Sequence, residues 1–154
     1  FIILTRLFNE LMPVSSENDM NFISGMSAFE AKEFARAIQF LRPFAEAGDP
    51  DAQHRCAIMY QNGLGMVRKA DEAFKWMEAA AIQGHPVAQH GLGFMYMEGD
   101  CVEQDGAKAV EWFSKAADQG LVGALTTLAL MYDEGRGVEQ DKEKARELYK
   151  KAGF

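Results

Sequence analysis

The sequence predicts an all-α protein, an α/α solenoid of stacked antiparallel helix hairpins, and three observations carry that prediction. Glycines recur at a fixed interval: Gly48, Gly84 and Gly120 stand 36 residues apart, and Gly63, Gly99 and Gly135 repeat the interval. Larger side chains keep the same register, as Tyr60, Tyr96 and Tyr132 and as Met59, Met95 and Met131. Between the glycines, apolar residues fall at helical rather than alternating spacing. A fixed period of about 20–50 residues marks units that cannot bury an apolar face alone and must stack.

Each period reads as two helices. The first, about Pro50 to Asn62, carries Ala52, Cys56, Met59 and Tyr60 on one face, and Gly63 follows where a left-handed cap favours glycine. The second, typified by Asp105 to Gln119, opens on an aspartate suited to N-capping and aligns Ala109, Trp112, Phe113 and Ala116. Small residues recur where the two must approach closely, at Ala57, Gly93 and Ala129 and at Ala73, Ala109 and Ala145.

Ala37 extends that last ladder backwards, with Phe40, Trp76, Trp112 and Leu148 and with Leu41, Met77, Phe113 and Tyr149 beside it, so the array begins before Gly48. The spacing of Phe22, Ile23, Met26 and Phe29 predicts a degenerate helix over Asp19 to Ala31, pairing with Glu33 to Ala47. The expected organisation is a leader or arm over 1–18, a cap hairpin over 19–47, and three repeats at 48–83, 84–119 and 120–154. Ile2 to Met12 is expected to form one more short helix before a break at Pro13 to Asn18.

Composition excludes several functions. Sixteen Lys and Arg against 23 Asp and Glu leave a formal charge of −7, which repels phosphate backbones and argues against nucleic acid. No run of about 18 apolar residues exists to span a membrane. Cys56 and Cys101 lack Cys-x-x-Cys spacing, and His54, His85 and His90 form no good metal-ligand spacing, so no metal or cofactor is expected. Cys56 aligns with Leu92 and Leu128 and reads as a small buried hydrophobe. Cys101 falls in a loop, with nothing beside it to lower its pKa. No catalytic triad, Gly-x-Ser-x-Gly elbow or phosphate-binding glycine loop is present, and no enzyme is predicted. The Lys142 to Lys151 segment reads as the solvated face of a last helix.

The residues Ala88 to Gly99 (AQHGLGFMYMEG), Gly137 to Asp141 (GVEQD) and Ala109 to Gly120 (AVEWFSKAADQG) resemble the Sel-one-like repeat, a relative of the tetratricopeptide repeat. Ala37 to Gln53 also looks like the usual start of such arrays in bacterial proteins. The resemblance covers about Ala28 to Phe154. It implies an adaptor or scaffold that binds a protein or peptide partner. The chain departs from the pattern at Met66 to Ala70, where MVRKA replaces GVxxD, and at Cys101, where the other units have Gly65 and Gly137; these loops are expected to differ in shape. The residues fix no compartment; a bacterial member is expected to be soluble, cytoplasmic or periplasmic.

By analogy with tetratricopeptide arrays, first helices line a concave groove on the side away from Cys56 and Tyr60. A turn of about 100° per residue then selects His54, Ile58 and Gln61 in one unit, His90, Phe94 and Met97 in the next, and Thr126, Leu130 and Asp133 in the third. The middle position is apolar each time. Two readings follow: a groove for an extended peptide or amphipathic helix, or packing of first helix against first helix. The Met and Tyr ladders read as core, with the tyrosine hydroxyls reaching the next loop. The alternative function is a structural role, self-assembly through the N-terminal arm (residues 1–12) or the repeat ends without a separate ligand.

Overall fold

The computed structural model describes residues 16–154, which form eight α-helices joined by turns, with no strand among them. They are α1 (Glu17–Glu30), α2 (Phe34–Glu46), α3 (Pro50–Asn62), α4 (Ala70–Ile82), α5 (Pro86–Glu98), α6 (Gly106–Asp118), α7 (Val122–Glu134) and α8 (Lys142–Ala152). Extensive packing joins each helix to the next in chain order, so the layers are antiparallel hairpins stacked along the chain. The all-α solenoid follows directly.

The first helix of each unit stops for one reason. Gly63, Gly99 and Gly135 adopt φ of 62°, 66° and 67° and donate their amides to the carbonyls of Met59, Met95 and Met131. That left-handed turn is strained for a residue with a Cβ. The starts differ more. Asp49 caps α3 through the amide of Ala52, His85 caps α5 through Nδ1 to the amide of Ala88, and Leu121 supplies no side-chain cap to α7. On the second helices, Asp105 and Asp141 cap α6 and α8, while Lys69 leaves α4 without a side-chain cap.

Two expectations are corrected, and a third is not reached by the described residues. Helix α1 begins at Glu17, two residues before the expected Asp19, because Ser16 and Asp19 form a reciprocal capping box that starts the helix inside the predicted break. The expected short helix over Ile2 to Met12 and the arm over 1–12 lie outside the described residues. The three inter-helix loops also share one shape rather than differing. Gly65, Cys101 and Gly137 are all left-handed, at φ 71°, 64° and 74°, and the amides of Lys69, Asp105 and Asp141 bond the carbonyls of Tyr60, Tyr96 and Tyr132 at 3.0, 2.9 and 2.8 Å. The segment equivalent to GVEQD is therefore Gly65 to Lys69 (GMVRK), one residue earlier than MVRKA.

One continuous core runs through the stack. Met59, Met95 and Met131 are fully buried, with Ala37, Ala73, Ala109 and Ala145. Close approach explains the small residues: a Cβ on Gly93 would meet the ring of Phe113 at 2.8 Å, and one on Gly25 would meet Leu41 at 2.7 Å. Edge-to-face ring pairs, Phe22 with Phe44 and Phe29 with Phe34, hold the two helices of the cap hairpin together, and these rings pack against the core. Among the described residues no helix is long and apolar enough to cross a membrane.

Candidate protein-binding face

The outward stripe of the first helices carries most of the residues expected there. In α5, His90 stands against both Phe94 (4.8 Å between ring centroids) and Phe113 (5.4 Å), and Phe94 packs edge-on against Phe113 at 5.1 Å. Phe94 is thereby held in one orientation yet remains 37% exposed, and Leu130 on α7 is 44% exposed. Ile58 on α3 is half-buried. His90 Nε2 also approaches Thr127 Oγ1 at 3.4 Å, which ties α5 to α7.

Met97 is a correction. It is only 7% exposed and belongs to the core, although Gln61 and Asp133 at the same register remain half-exposed. The position lies at the border of the buried stripe. A long, flexible apolar side chain gains by turning inward there, whereas an amide or carboxylate stays in water.

The polar members of the stripe are already partnered. Gln61 donates to Asp100 at 2.9 Å, Asp133 pairs with Lys142 at 3.5 Å, and the Thr126 hydroxyl donates to its own helix backbone. His54 stacks on His85 at 4.8 Å, and the Nε2–H of His85 donates to Asp51 at 3.0 Å. That tautomer follows because Nδ1 of His85 accepts a backbone amide. Burial, then the neighbouring His85, pushes the His54 pKa down to about 4. Burial also lowers that of His90. Both imidazoles are neutral at pH 7, so the face carries no histidine charge.

Sequence reasoning did not reach Val87 and Val122, which are 43% and 53% exposed and continue the apolar stripe toward the helix starts. Stepping back from Phe94 at helical spacing, to His90 and then Val87, is the signal that finds one of them. Neither α5 from Val87 to Met97 nor α7 from Val122 to Tyr132 contains an acidic residue, a lysine or an arginine. Each of these stretches runs for about three helical turns.

Two polar ladders also escaped the apolar pattern. Gln53 and Gln89 are buried and donate to the carbonyls of Ala45 and Ala81 at 3.1 and 3.2 Å. Arg68, Gln104 and Gln140 clamp the carbonyls of Gln61, Met97 and Asp133 at 2.8, 2.8 and 2.7 Å. Both ladders keep the 36-residue interval. Tyr60 departs from expectation, since its hydroxyl accepts from Arg42 on the preceding α2 at 2.7 Å, not from the next loop. Tyr96 and Tyr132 instead lie under Lys108 and Lys144.

Nucleophilic chemistry finds little support. Cys56 is buried, and burial pushes its thiol up to about 12. Cys101 sits beside Asp100 and Arg68, and burial followed by the Asp100 charge raises its pKa. No group of three His, Cys, Asp or Glu lies together in a metal-binding arrangement among the described residues.

A stack of antiparallel hairpins with a repeated cap, a repeated carbonyl clamp and an apolar outward stripe defines a helical-repeat protein. The Sel1 repeat family model matches residues 50–85, 86–121 and 123–153, and the chain belongs to that family. Sel1 repeats are generally protein–protein interaction modules and typically non-enzymatic scaffolds.

Among solved structures, the chain is similar to c5321, a protective antigen of uropathogenic Escherichia coli strains with the same fold, at 33% identity and a TM-score of 0.83 over 88% of this chain and 30% of that one. It is also similar to a Sel1 repeat protein from Oxalobacter formigenes, at 30% identity and a TM-score of 0.80 over 85% of this chain and 54% of that one. The chain thus spans about a third and about half of these two proteins. Cysteine-rich protein B of Helicobacter pylori, 17% identical with a TM-score of 0.59 over 90% of each chain, shares the fold. No curated protein matches the chain.

Proposed function

We propose that the chain is an adaptor that binds a protein partner in the groove formed by its first helices, without enzymatic activity of its own. The occupant is an extended or helical peptide that sets apolar side chains against Ile58, Phe94 and Leu130, with His54, His90, Gln61, Thr126 and Asp133 at the margins. The observation that carries this reading is the exposure of Phe94 and Leu130 within stretches, Val87 to Met97 and Val122 to Tyr132, that hold no acidic residue, lysine or arginine. An aromatic ring already held by two neighbours loses little entropy when covered, which suits it to be an interface anchor. The net charge of −7 favours a neutral or basic peptide over nucleic acid.

A displayed peptide library panned on the chain, followed by titration of enriched sequences, tests this. Apolar-patterned peptides should be enriched, and Phe94→Glu or Leu130→Glu should abolish their binding while leaving the circular dichroism spectrum and cooperative melting intact. Binding that survives both substitutions would overturn the groove. Loss of the fold in both would assign the ladder to helix packing instead.

A further inference from the structure

A cavity lies away from the first-helix face, between the second helices α6 and α8 and floored by α7. At the register of Leu148 the two preceding units carry a tryptophan. Trp76 is buried and donates its indole N–H to Glu72 at 3.0 Å, and Trp112 packs against the core with the Lys115 ammonium 4.3 Å from its ring centroid. Thirty-six residues after Trp112 the chain carries Leu148. Leu125 likewise stands where Gln53 and Gln89 supply a buried amide in the earlier units.

Both changes shorten or depolarise the lining. The groove holds a cavity of about 490 Å³ lined by Leu125, Leu128, Tyr132, Leu148, Lys144 and Lys151, with Asp118 also in its lining. That volume is in the range of small-molecule sites, about 300–1,000 Å³. Its apolar wall includes Leu148, at the register where the two preceding units carry an indole.

Charge specifies the rest. Helix α8 carries Lys142, Lys144, Arg146, Lys150 and Lys151 against Glu143 and Glu147, an excess of cations in a chain of net −7. Lys144 and Lys151 lie on either side of Leu148, about one turn away in each direction. Neither forms an ion pair among the described residues, and the Lys144 ammonium rests 5.1 Å from the Tyr132 ring centroid. A flat ring seated on Leu148 therefore has flexible ammonium groups within reach of an anion attached to it.

We infer that this groove binds an aromatic carboxylate, the ring replacing the missing tryptophan against Leu125, Leu128 and Leu148 and the carboxylate meeting Lys144 or Lys151. A free aromatic acid and the C-terminal aromatic residue of a peptide share this chemistry.

Methyl NMR titration of the full chain tests the inference, with indole-3-propionate, a short peptide ending in a free Trp carboxylate, and the amide of each as probes. Saturable shifts of the Leu125, Leu128 and Leu148 methyls are expected for at least one acid, with its amide weaker by about tenfold. Shifts with the peptide assign the source to a protein C-terminus; shifts with the free acid alone assign it to a small molecule. Leu148→Trp restores the residue of the other units and should abolish the shifts while the protein stays folded; Leu148→Phe provides a second filled variant. Lys144→Gln with Lys151→Gln should erase the difference between acid and amide. No saturable shift with either acid at about 1 mM, or undiminished binding by both filled variants, would overturn the site.

Discussion

The side-chain amide of Gln83 donates to Oε1 of Gln53 at 2.8 Å, and the pair recurs 36 residues later as Gln119 and Gln89 at 2.9 Å. The same two donors reach the carbonyls of Gly48 and Gly84. Each pair therefore links the end of one second helix to the junction before the preceding first helix, and satisfies polar groups that no helix ladder serves. Gln89→Leu removes two buried side-chain hydrogen bonds, to the Ala81 carbonyl and from Gln119, which should cost about 1–3 kcal/mol. In a double-mutant cycle measured by urea unfolding, Gln89→Leu with Gln119→Leu should cost less than the sum of the single changes. Additive costs would mean that the pair does not act as a unit.

Gly93 is the smallest member of a ladder that otherwise holds Ala57 and Ala129, and it faces the ring of Phe113. Gly93→Ala should destabilise by about 1–2 kcal/mol, overpacking outweighing the better helix propensity of alanine. In a Phe113→Leu background the same substitution should become neutral or stabilising. Thermal melts of the four proteins check the reversal of sign.

Cys101 is held at φ 64°, a conformation that the neighbouring units give to glycine. Cys101→Gly should raise stability by about 0.5–1 kcal/mol, and Cys101→Val, branched at Cβ, should lower it. Because burial and Asp100 raise its pKa, the wild-type thiol should also react with a disulfide reagent more slowly than a free cysteine at pH 7. Rapid labelling comparable to free cysteine would contradict that environment.

The stability of the chain should fall as pH drops from about 6.5 to about 4. The unfolded chain takes up a proton on His54 near its ordinary pKa of 6.5, whereas the folded chain resists until about 4. The unfolded state thus binds more protons across that window, so stability is complete above it and declines through it. His90 shifts in the same direction. The His54 contribution is about 1–3 kcal/mol after allowance for solvent screening. Chemical denaturation at pH 7.5, 5.5 and 4 should show a smaller pH dependence in His54→Gln than in the wild type.

The parts of this structure legible in the sequence are those that a single side chain decides. Gly63, Gly99 and Gly135 end helices because the backbone there is left-handed, and Asp105 begins one because its carboxylate reaches an amide. Met59, Met95 and Met131 enter the core as their register requires. Met97 shows where that reasoning stops, because a residue at the stripe's edge is placed by its own length and polarity as well as by its angle around the helix. The loop at Gly65 to Lys69 kept its shape against a changed sequence, since left-handed Gly63 and Gly65 and a bond to Tyr60 set its backbone, and Arg68 clamps the Gln61 carbonyl where the other units use a glutamine. The glutamine pairs join residues 30 positions apart whose partnership only the stacked geometry reveals, although both ladders carry the repeat interval. Of the proposed face, the apolar residues Phe94 and Leu130 were readable and the neutral state of the histidines was not, because it depends on burial and on His85.

Helices that pack extensively only on their sequence neighbours also have a mechanical consequence. A load applied between the ends of this chain passes through every interface in series, so the weakest hairpin yields first and the others remain intact. The protein should stretch as a spring of hairpins that give way one at a time, and a bound peptide bridging α3, α5 and α7 would act as a brace across those joints.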